Sequence, residues 1–293
     1  MAINFKRTLG ILALIAITPY ASAANCVRNT DGEILDSNFS GGNSCTVTPD
    51  SVTFPVYKFG LCEEVPTYEN YLSTCTFLID RSSAQDVVVS STSNISLTSN
   101  LTLNEASYPA SVLLLGNGIG VTHADIFENS RTGLEDTGTD YADSDGSYCS
   151  TRLDDGSEDD FESNLDCDTS EITAGQFTET VGAYHDPSNT CTISGGETVR
   201  SGSLSFNTAS GDVVICGMSD EETLETYSGD DSTNATRQLV IQTFNTPVVI
   251  SANTKTLDIA FKVTDMLSIE EVSADGVTYT QAYLDGIETQ VKV

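Results

Sequence analysis

The chain has 293 residues, a formal net charge of −31, no tryptophan and eight cysteines. A surface this acidic repels nucleic acid and anionic lipid, so neither is expected as a partner. The length suffices for one large β-domain or two small ones, and no second apolar run after the leader is long enough to span a bilayer.

The chain opens on Lys6 and Arg7, an apolar run over residues 9–17, Pro19, and the small residues Ala21-Ser22-Ala23. The run is too short to cross a bilayer, and the pattern is that of a secretory signal peptide over residues 1–23, cleaved after Ala23. Asn25 is bulky and polar, which argues against a lipidated Cys26. Removing Lys6 and Arg7 with the leader takes the charge from −31 to −33. Salt screens such self-repulsion, so a saline bacterial setting suits the protein. The expectation is a protein that is secreted, extracellular or at the cell surface, with the periplasm as the alternative.

All eight cysteines lie after the leader, none in a CxxC pair, and His123 and His185 stand apart. An even count in an oxidising compartment reads as disulfides rather than zinc. Eight cysteines allow about 105 pairings. Pairing of sequence neighbours is the expectation: Cys26–Cys45, Cys62–Cys75, Cys149–Cys167 and Cys191–Cys216. A bridge closing a loop of such length stabilises by about 3 kcal/mol.

Residues 24–50 are polar and rich in Gly, Asn and Ser, a segment pinned by Cys26 and Cys45. The β-domain is expected over residues 51–293. Residues 51–62 carry Val52, Phe54, Val56, Tyr57 and Phe59, with Pro55 marking an edge or a bulge. Residues 74–80 form the next strand, stapled back by Cys62 and Cys75. Strands follow at 86–90, 94–103, 111–115 and 119–127, the last two joined by Gly116-Asn117-Gly118, a hairpin signal.

An acidic insertion over about residues 128–171 comes next. Residues 135–169 read EDTGTDYADSDGSYCSTRLDDGSEDDFESNLDCDT, with almost no aliphatic side chains. Short strands resume at 172–184, 198–206 and 212–217. A second acidic loop, 219–233, has room for a short helix at 220–227 capped by Ser219. Strands at 237–244 and 247–251 follow. Leu257, Ile259, Phe261 and Val263 alternate with Asp258, Ala260 and Lys262, a half-buried strand. Residues 277–283 and 287–293 read as a final hairpin around Leu284-Asp285-Gly286. Many short strands between turn signals predict an all-β, Greek-key or immunoglobulin-like β-sandwich with a long acidic, disulfide-stapled insertion.

Two segments carry a family likeness. Residues 103–114, LNEASYPASVLL, are similar to a turn-then-strand motif of an uncharacterised family of secreted bacterial β-sandwich domains with a prealbumin-like Greek-key fold. The LDIAFKV of residues 257–263 resembles that family's later strand of the form aliphatic-Asp-aromatic-Asp-Val. The likeness covers about a third of the chain. Ser107 stands where the family has Gly before the Tyr, and the two motifs lie much further apart here. The resemblance implies that residues from about 117 to 236 elaborate a conventional sandwich. It also implies a surface-associated, non-enzymatic module with no catalytic residues to carry over.

The residues themselves agree on the absence of a familiar active site. There is no GxSxG, HExxH, P-loop or GxGxxG. Only His123, beside Asp125, and His185, beside Asp186, offer a base with a neighbouring carboxylate, and both are read as ordinary loop or strand-end histidines. Without Trp, sugar stacking would fall to Tyr68, Tyr71, Tyr141 and Tyr148. Lys255 and Lys262, near strand acids, raise an isopeptide bond only to be read as exposed lysines.

Calcium is the more physical option, because it takes six to eight oxygen ligands from carboxylates and loop carbonyls. Asp143-Ser144-Asp145-Gly146 resembles the centre of a DxDxDG loop. Tyr141 at the first ligand position and Arg152 at the twelfth exclude a standard EF-hand. Asp154 and Asp155, near Asp159, Asp160 and Glu162, form a second cluster. Asp143, Asp145, Asp154 and Asp155 are the candidate calcium ligands, in an irregular site. No other cofactor is expected. The favoured reading of the stretch is a solvated loop that sets solubility and contacts, since such composition buries too little surface to offset its ordering entropy.

The leading functional expectation is a non-catalytic structural or adhesive component of a bacterial cell surface or extracellular filament. Its partners would be copies of itself or other surface proteins. A calcium-dependent, glycan-binding module is the alternative, and a hydrolase with an unrecognised carboxylate site is the second. Residues 287–293, with alternating apolar side chains and a free end, are the candidate donor strand for subunit exchange, against the plainer reading of an internal strand.

Overall fold

In the computed structural model, described residues are 24–90, 95–97, 103–136, 141–152, 165–180, 190–191, 193, 199–200, 205–207, 211–219, 221–224, 235–254, 257–274, 277–284 and 286–292. The fold is all-β. In chain order the strands are β1 (Ala24–Asn25), β2 (Cys45–Val47), β3 (Ser51–Cys62), β4 (Cys75–Val89), β5 (Ile95–Leu97), β6 (Ser107–Gly116) and β7 (Gly118–Thr122). The acidic region holds β8 (Ala124–Asp136), β9 (Tyr141–Thr151) and β10 (Leu165–Asp168). There follow β11 (Phe177–Thr180), β12 (Thr190–Cys191), β13 (Val199–Arg200), β14 (Ser205–Asn207) and β15 (Gly211–Met218). The chain ends on β16 (Arg237–Val249), β17 (Leu257–Lys262), β18 (Leu267–Ala274), β19 (Val277–Leu284) and β20 (Gly286–Lys292). One 3-10 turn, Asp36–Phe39, is the helical element among the described residues.

A seven-stranded antiparallel sheet organises the rest, in the order β11-β7-β3-β6-β16-β15 with β4 on the other side of β3. Its central strand β6 is apolar on both faces because both faces are covered there. On one face Val52, Phe54, Val56, Leu113, Leu115 and Val240 join the main core. Phe54 stacks on Phe261 of β17, ring centroids 4.6 Å apart, which packs the sheet against the four-stranded β14-β20-β17-β5 sheet. On the other face Val112, Leu114, Cys216, Met218, Leu239 and Ile241 form a second core. That core is roofed by Tyr57, Tyr68, Tyr71, Leu72, Phe77 and Leu224. The consecutive Val112-Leu113-Leu114-Leu115 run, expected within a strand over residues 111–115, is a strand buried on both sides.

Tyr108 is fully buried and its hydroxyl donates to the Asn104 carbonyl at 3.0 Å. Burial pushes the phenol upward from its ordinary range. The bond locks the corner from which β6 departs, as tyrosine corners do elsewhere.

Several expectations are corrected. Gly116-Asn117-Gly118 is not a hairpin: β6 and β7 run on in one direction against the same edge of β3, with Val56 opposite Leu115 and Thr53 opposite Gly120. The glycines answer close approach instead. A Cβ on Gly116 would lie 2.7 Å from Pro55 Cγ, and one on Gly118 would lie 2.6 Å from Thr178 Cγ2. At this break the other edge forks, β16 following β6 and β11 following β7. Pro55 accordingly sits not on an edge strand but at the gap, where neither β6 nor β7 pairs with it. The final hairpin is also absent: β19 pairs with β18, whereas β20 crosses to the other sheet. There β20 lies between β17, antiparallel, and β14, parallel, so the candidate donor strand is an internal one. Residues 221–224 form a turn rather than the start of a helix, with Ser219 Oγ accepting the Thr223 N–H at 3.3 Å.

The acidic region, expected as a solvated loop, contains a three-stranded antiparallel sheet, β10-β9-β8. Buried Cys149, Thr151, Leu165 and Cys167 supply its inner face. The four disulfides are Cys26–Cys45, Cys62–Cys75, Cys149–Cys167 and Cys191–Cys216. Two of them, Cys62–Cys75 and Cys149–Cys167, join residues directly opposite one another on neighbouring strands. Among the described residues no helix is long and apolar enough to cross a membrane.

Candidate functional site

The chain's rare cations mark where charge is concentrated in the interior. Arg28, on the N-terminal segment, reaches Asp125 at the start of β8 with both terminal guanidinium nitrogens, the Nη2 contact measuring 2.6 Å. His123 Nε2 lies 3.2 Å from the same carboxylate, and its ring is 5% exposed. Burial pushes Asp125 upward, but the hydrogen bonds from Arg28 and His123 outweigh it and hold the carboxyl below its ordinary range. The Arg28 guanidinium is raised by the hydrogen bond from the same pair.

The histidine is clamped by its backbone. Its N–H donates to Thr151 Oγ1 at 2.9 Å, and that hydroxyl donates on to the Gly175 carbonyl at 2.6 Å. Among the described residues no hydroxyl or thiol bonds the imidazole, and Nδ1 is buried without a partner. The sequence pairing of His123 with Asp125 is therefore realised as a buried tie between the N-terminal segment and β8, with no nucleophile on it. His185 and Asp186 lie outside the described residues.

A second tie stands beside the first. Arg131, 8% exposed, pairs with Asp36 of the 3-10 turn and Glu271 of β18. Its guanidinium sits over the rings of Phe39 (4.5 Å) and Phe127 (5.4 Å). A planar, weakly hydrated cation suits such an apolar slot better than an ammonium. Ile34 is fully buried and bridges Phe127, its N–H donating to the Ile126 carbonyl at 2.8 Å. The same segment is tied to the β17–β18 turn, where Asp265, at φ 55°, accepts from Asn25 Nδ2 at 3.0 Å. Asp tolerates this left-handed geometry better than most residues.

A third cluster lies under the second core. Glu222, at φ 62°, is 3.3 Å from both Lys58 Nζ and Arg237 Nη1. Lys58 also pairs with Asp80 at 2.6 Å, and the Arg237 guanidinium lies 4.0 Å from the Tyr57 ring centroid. Burial pulls Lys58 down, but the hydrogen bonds to Asp80 and Glu222 outweigh it and raise it. Tyr71 donates to the Glu222 carbonyl at 3.1 Å. Tyr71 and Tyr68 pack on the second core, so their rings serve packing.

The candidate calcium ligands divide as follows. Asp143 lies in β9 opposite Leu134, and Asp145 lies opposite Thr132, whose hydroxyl donates to its exposed carboxylate at 2.8 Å. Asp154 and Asp155 lie outside the described residues. Asp143-Ser144-Asp145-Gly146 is thus strand, not turn. Gly146 is there because a Cβ would fall 1.8 Å from the Asp168 carbonyl group. Among the described residues no three His, Cys, Asp or Glu side chains converge as metal ligands. Lys262 is exposed and lies opposite Glu288, away from the dry interior an isopeptide bond needs; Lys255 lies outside the described residues.

Arg28, Asp36, Arg131 and Glu222 were not singled out by sequence reasoning. Their one signal is scarcity: in a chain with 12 Lys and Arg against 43 Asp and Glu, a cation will find carboxylates. In comparisons with known proteins, no family model, no curated protein and no solved structure matches this chain.

Proposed function

We propose that the protein is an exported, non-catalytic structural or adhesive component of a bacterial cell surface or extracellular filament. The observation that carries this reading is what the buried charged groups do. The His123–Asp125–Arg28 group has the composition of acid–base machinery, yet it is closed over and spent on docking residues 24–50 against β8. Arg131 does the same with Asp36 and Glu271. Four disulfides add covalent ties that suit an oxidising compartment. Such cross-linking favours persistence outside the cell over the loop motions that turnover needs. The leader-like residues 1–23 and the acidic surface support export and solubility in salt.

Electron microscopy of the purified mature chain, over a range of concentration and at high salt, tests the reading. Ordered assemblies are expected. Single particles at every concentration would count against it.

A further inference from the structure

A peptide bond is open to hydrolysis by another enzyme where the backbone is extended, accessible and only locally held, and β4 offers such a stretch. β4 pairs with β3, and no described strand pairs with its outer edge. Asp80 pairs with Lys58 and Gln85 with Val56, so residues 81–84 stand opposite Tyr57 alone and leave the ladder as a bulge. Residues 80–86 are all exposed. The bulge reads Arg81-Ser82-Ser83-Ala84, one cation followed by small side chains. Adding a strand to an open edge is a common way to grip an extended peptide, and nicking concentrates at exposed stretches of small and polar residues.

Arginine singles this stretch out. Arg28, Lys58, Arg131 and Arg237 are all paired with carboxylates. Lys262 is exposed, but its backbone is held in the ladder with β20. Arg81 is exposed and forms no ion pair among the described residues. The carboxylate next to it in the chain, Asp80, is taken by Lys58 at 2.6 Å. An arginine held clear of the protein's own carboxylates is free to enter the specificity pocket of a trypsin-like proteinase, where a carboxylate grips the guanidinium.

The covalent ties determine what a cut there does. Cys26–Cys45 and Cys62–Cys75 lie before Arg81, and Cys149–Cys167 and Cys191–Cys216 lie after it, so no bridge spans the bond. The ladders do span it, β2 with β18 and β3 with β6 and β7. So do the Arg28–Asp125 and Asp36–Arg131 pairs. We propose that the Arg81–Ser82 bond is a processing site for an arginine-specific proteinase, which converts the protein into a two-chain form held together without a covalent link. Water is added across the amide: the C–N bond breaks, the hydroxyl joins the Arg81 carbonyl carbon, and the proton goes to the Ser82 nitrogen. The new acid then passes its proton to the new amine. Such processing is independent of whether the protein assembles into filaments.

Limited digestion of the disulfide-intact mature chain with a trace of trypsin tests the site. The first cut into two sizeable fragments should leave one ending at Arg81 and one beginning at Ser82, identified by intact mass and terminal sequencing. The fragments should separate in denaturant without reductant, yet elute together in native size exclusion. R81Q should survive at least about tenfold longer, because the pocket's carboxylate loses the cation it is built to bond. R81K should be cut at the same bond by a lysine-specific proteinase that spares the parent there, since the bulge presents whichever cation stands at that position. Arg81 is exposed, so both variants should keep the parent's melting midpoint. An R81Q chain digested as fast as the parent, an uncut R81K, or a first such cut elsewhere overturns the site. A cut after Arg152, for example, would leave fragments joined through Cys149–Cys167 until they are reduced. Fragments that part in native buffer overturn the two-chain form.

Discussion

Substituting Asp125 by Asn tests the tie that docks the N-terminal segment. The change keeps shape but removes the charge that faces Arg28 and His123. Removing one partner of a buried pair costs about 3–5 kcal/mol. Arg28 is 37% exposed, so solvent screens part of its interaction and the expected loss is nearer 1–3 kcal/mol. In a chain of this size that lowers the melting midpoint by roughly 2–4 °C per kcal/mol. Arg28→Met should cost at least as much, because it leaves the more deeply buried Asp125 carboxylate with His123 alone. The double variant should recover a coupling of at least about 1 kcal/mol by denaturant titration. The pH dependence follows from the lowered Asp125 pKa. A carboxylate depressed on folding contributes stability that is full above its unfolded pKa, about 3.9. That stability is lost as pH falls through the lower folded value. The parent's advantage over D125N should therefore shrink only below about pH 4. Limited proteolysis should release residues 24–50 first. A coupling indistinguishable from zero, or an advantage that persists unchanged at pH 2, would refute the argument.

Replacing Cys149 and Cys167 by Ala should destabilise by about 3 kcal/mol. Hydrogen exchange should speed in β9 and β10 before the large sheet, and uniform loosening would argue against a locally acting staple. Gly146→Ala pushes a Cβ into the Asp168 backbone and should cost about 1–3 kcal/mol in thermal melts; a neutral result would show that β9 and β10 do not approach so closely. Phe54→Ala removes one side of the inter-sheet stack and should cost about 3–5 kcal/mol. Exposed Val88→Ala should stay within about 0.5 kcal/mol, which denaturant titration separates easily. Adding EDTA should leave the melting midpoint unchanged, and a clear fall would reveal a bound divalent cation and favour the calcium reading.

The fold class was legible because alternation survives in its strands, as in Val52, Phe54 and Val56 of β3. The Cys62–Cys75 hairpin was legible too, since its two strands lie close in sequence. What was not legible has specific causes. Glycine signals a turn or a close approach, and only the position of Pro55 tells which applies at Gly116. β19 and β20 are adjacent in sequence but enter different sheets, a choice made by distant partners on β18, β17 and β14. The acidic strands were masked because their solvent faces carry Asp, which strand propensity disfavours. Of the candidate site, the His123–Asp125 contact could be read from spacing. Arg28 comes from 97 residues away and could not.

The ranges spanned by the covalent and non-covalent ties set an order of events during synthesis. The four disulfides close loops of 13 to 25 residues, so each has both thiols available soon after it emerges. The ladders between β2 and β18 and between β5 and β17 need segments from opposite ends of the chain. The strand that completes the second sheet, β20, is the last to appear. Oxidation thus acts on short local loops while the ladders between distant strands have yet to form. A reducing pulse early in maturation should harm the yield far more than the same pulse given to the finished protein.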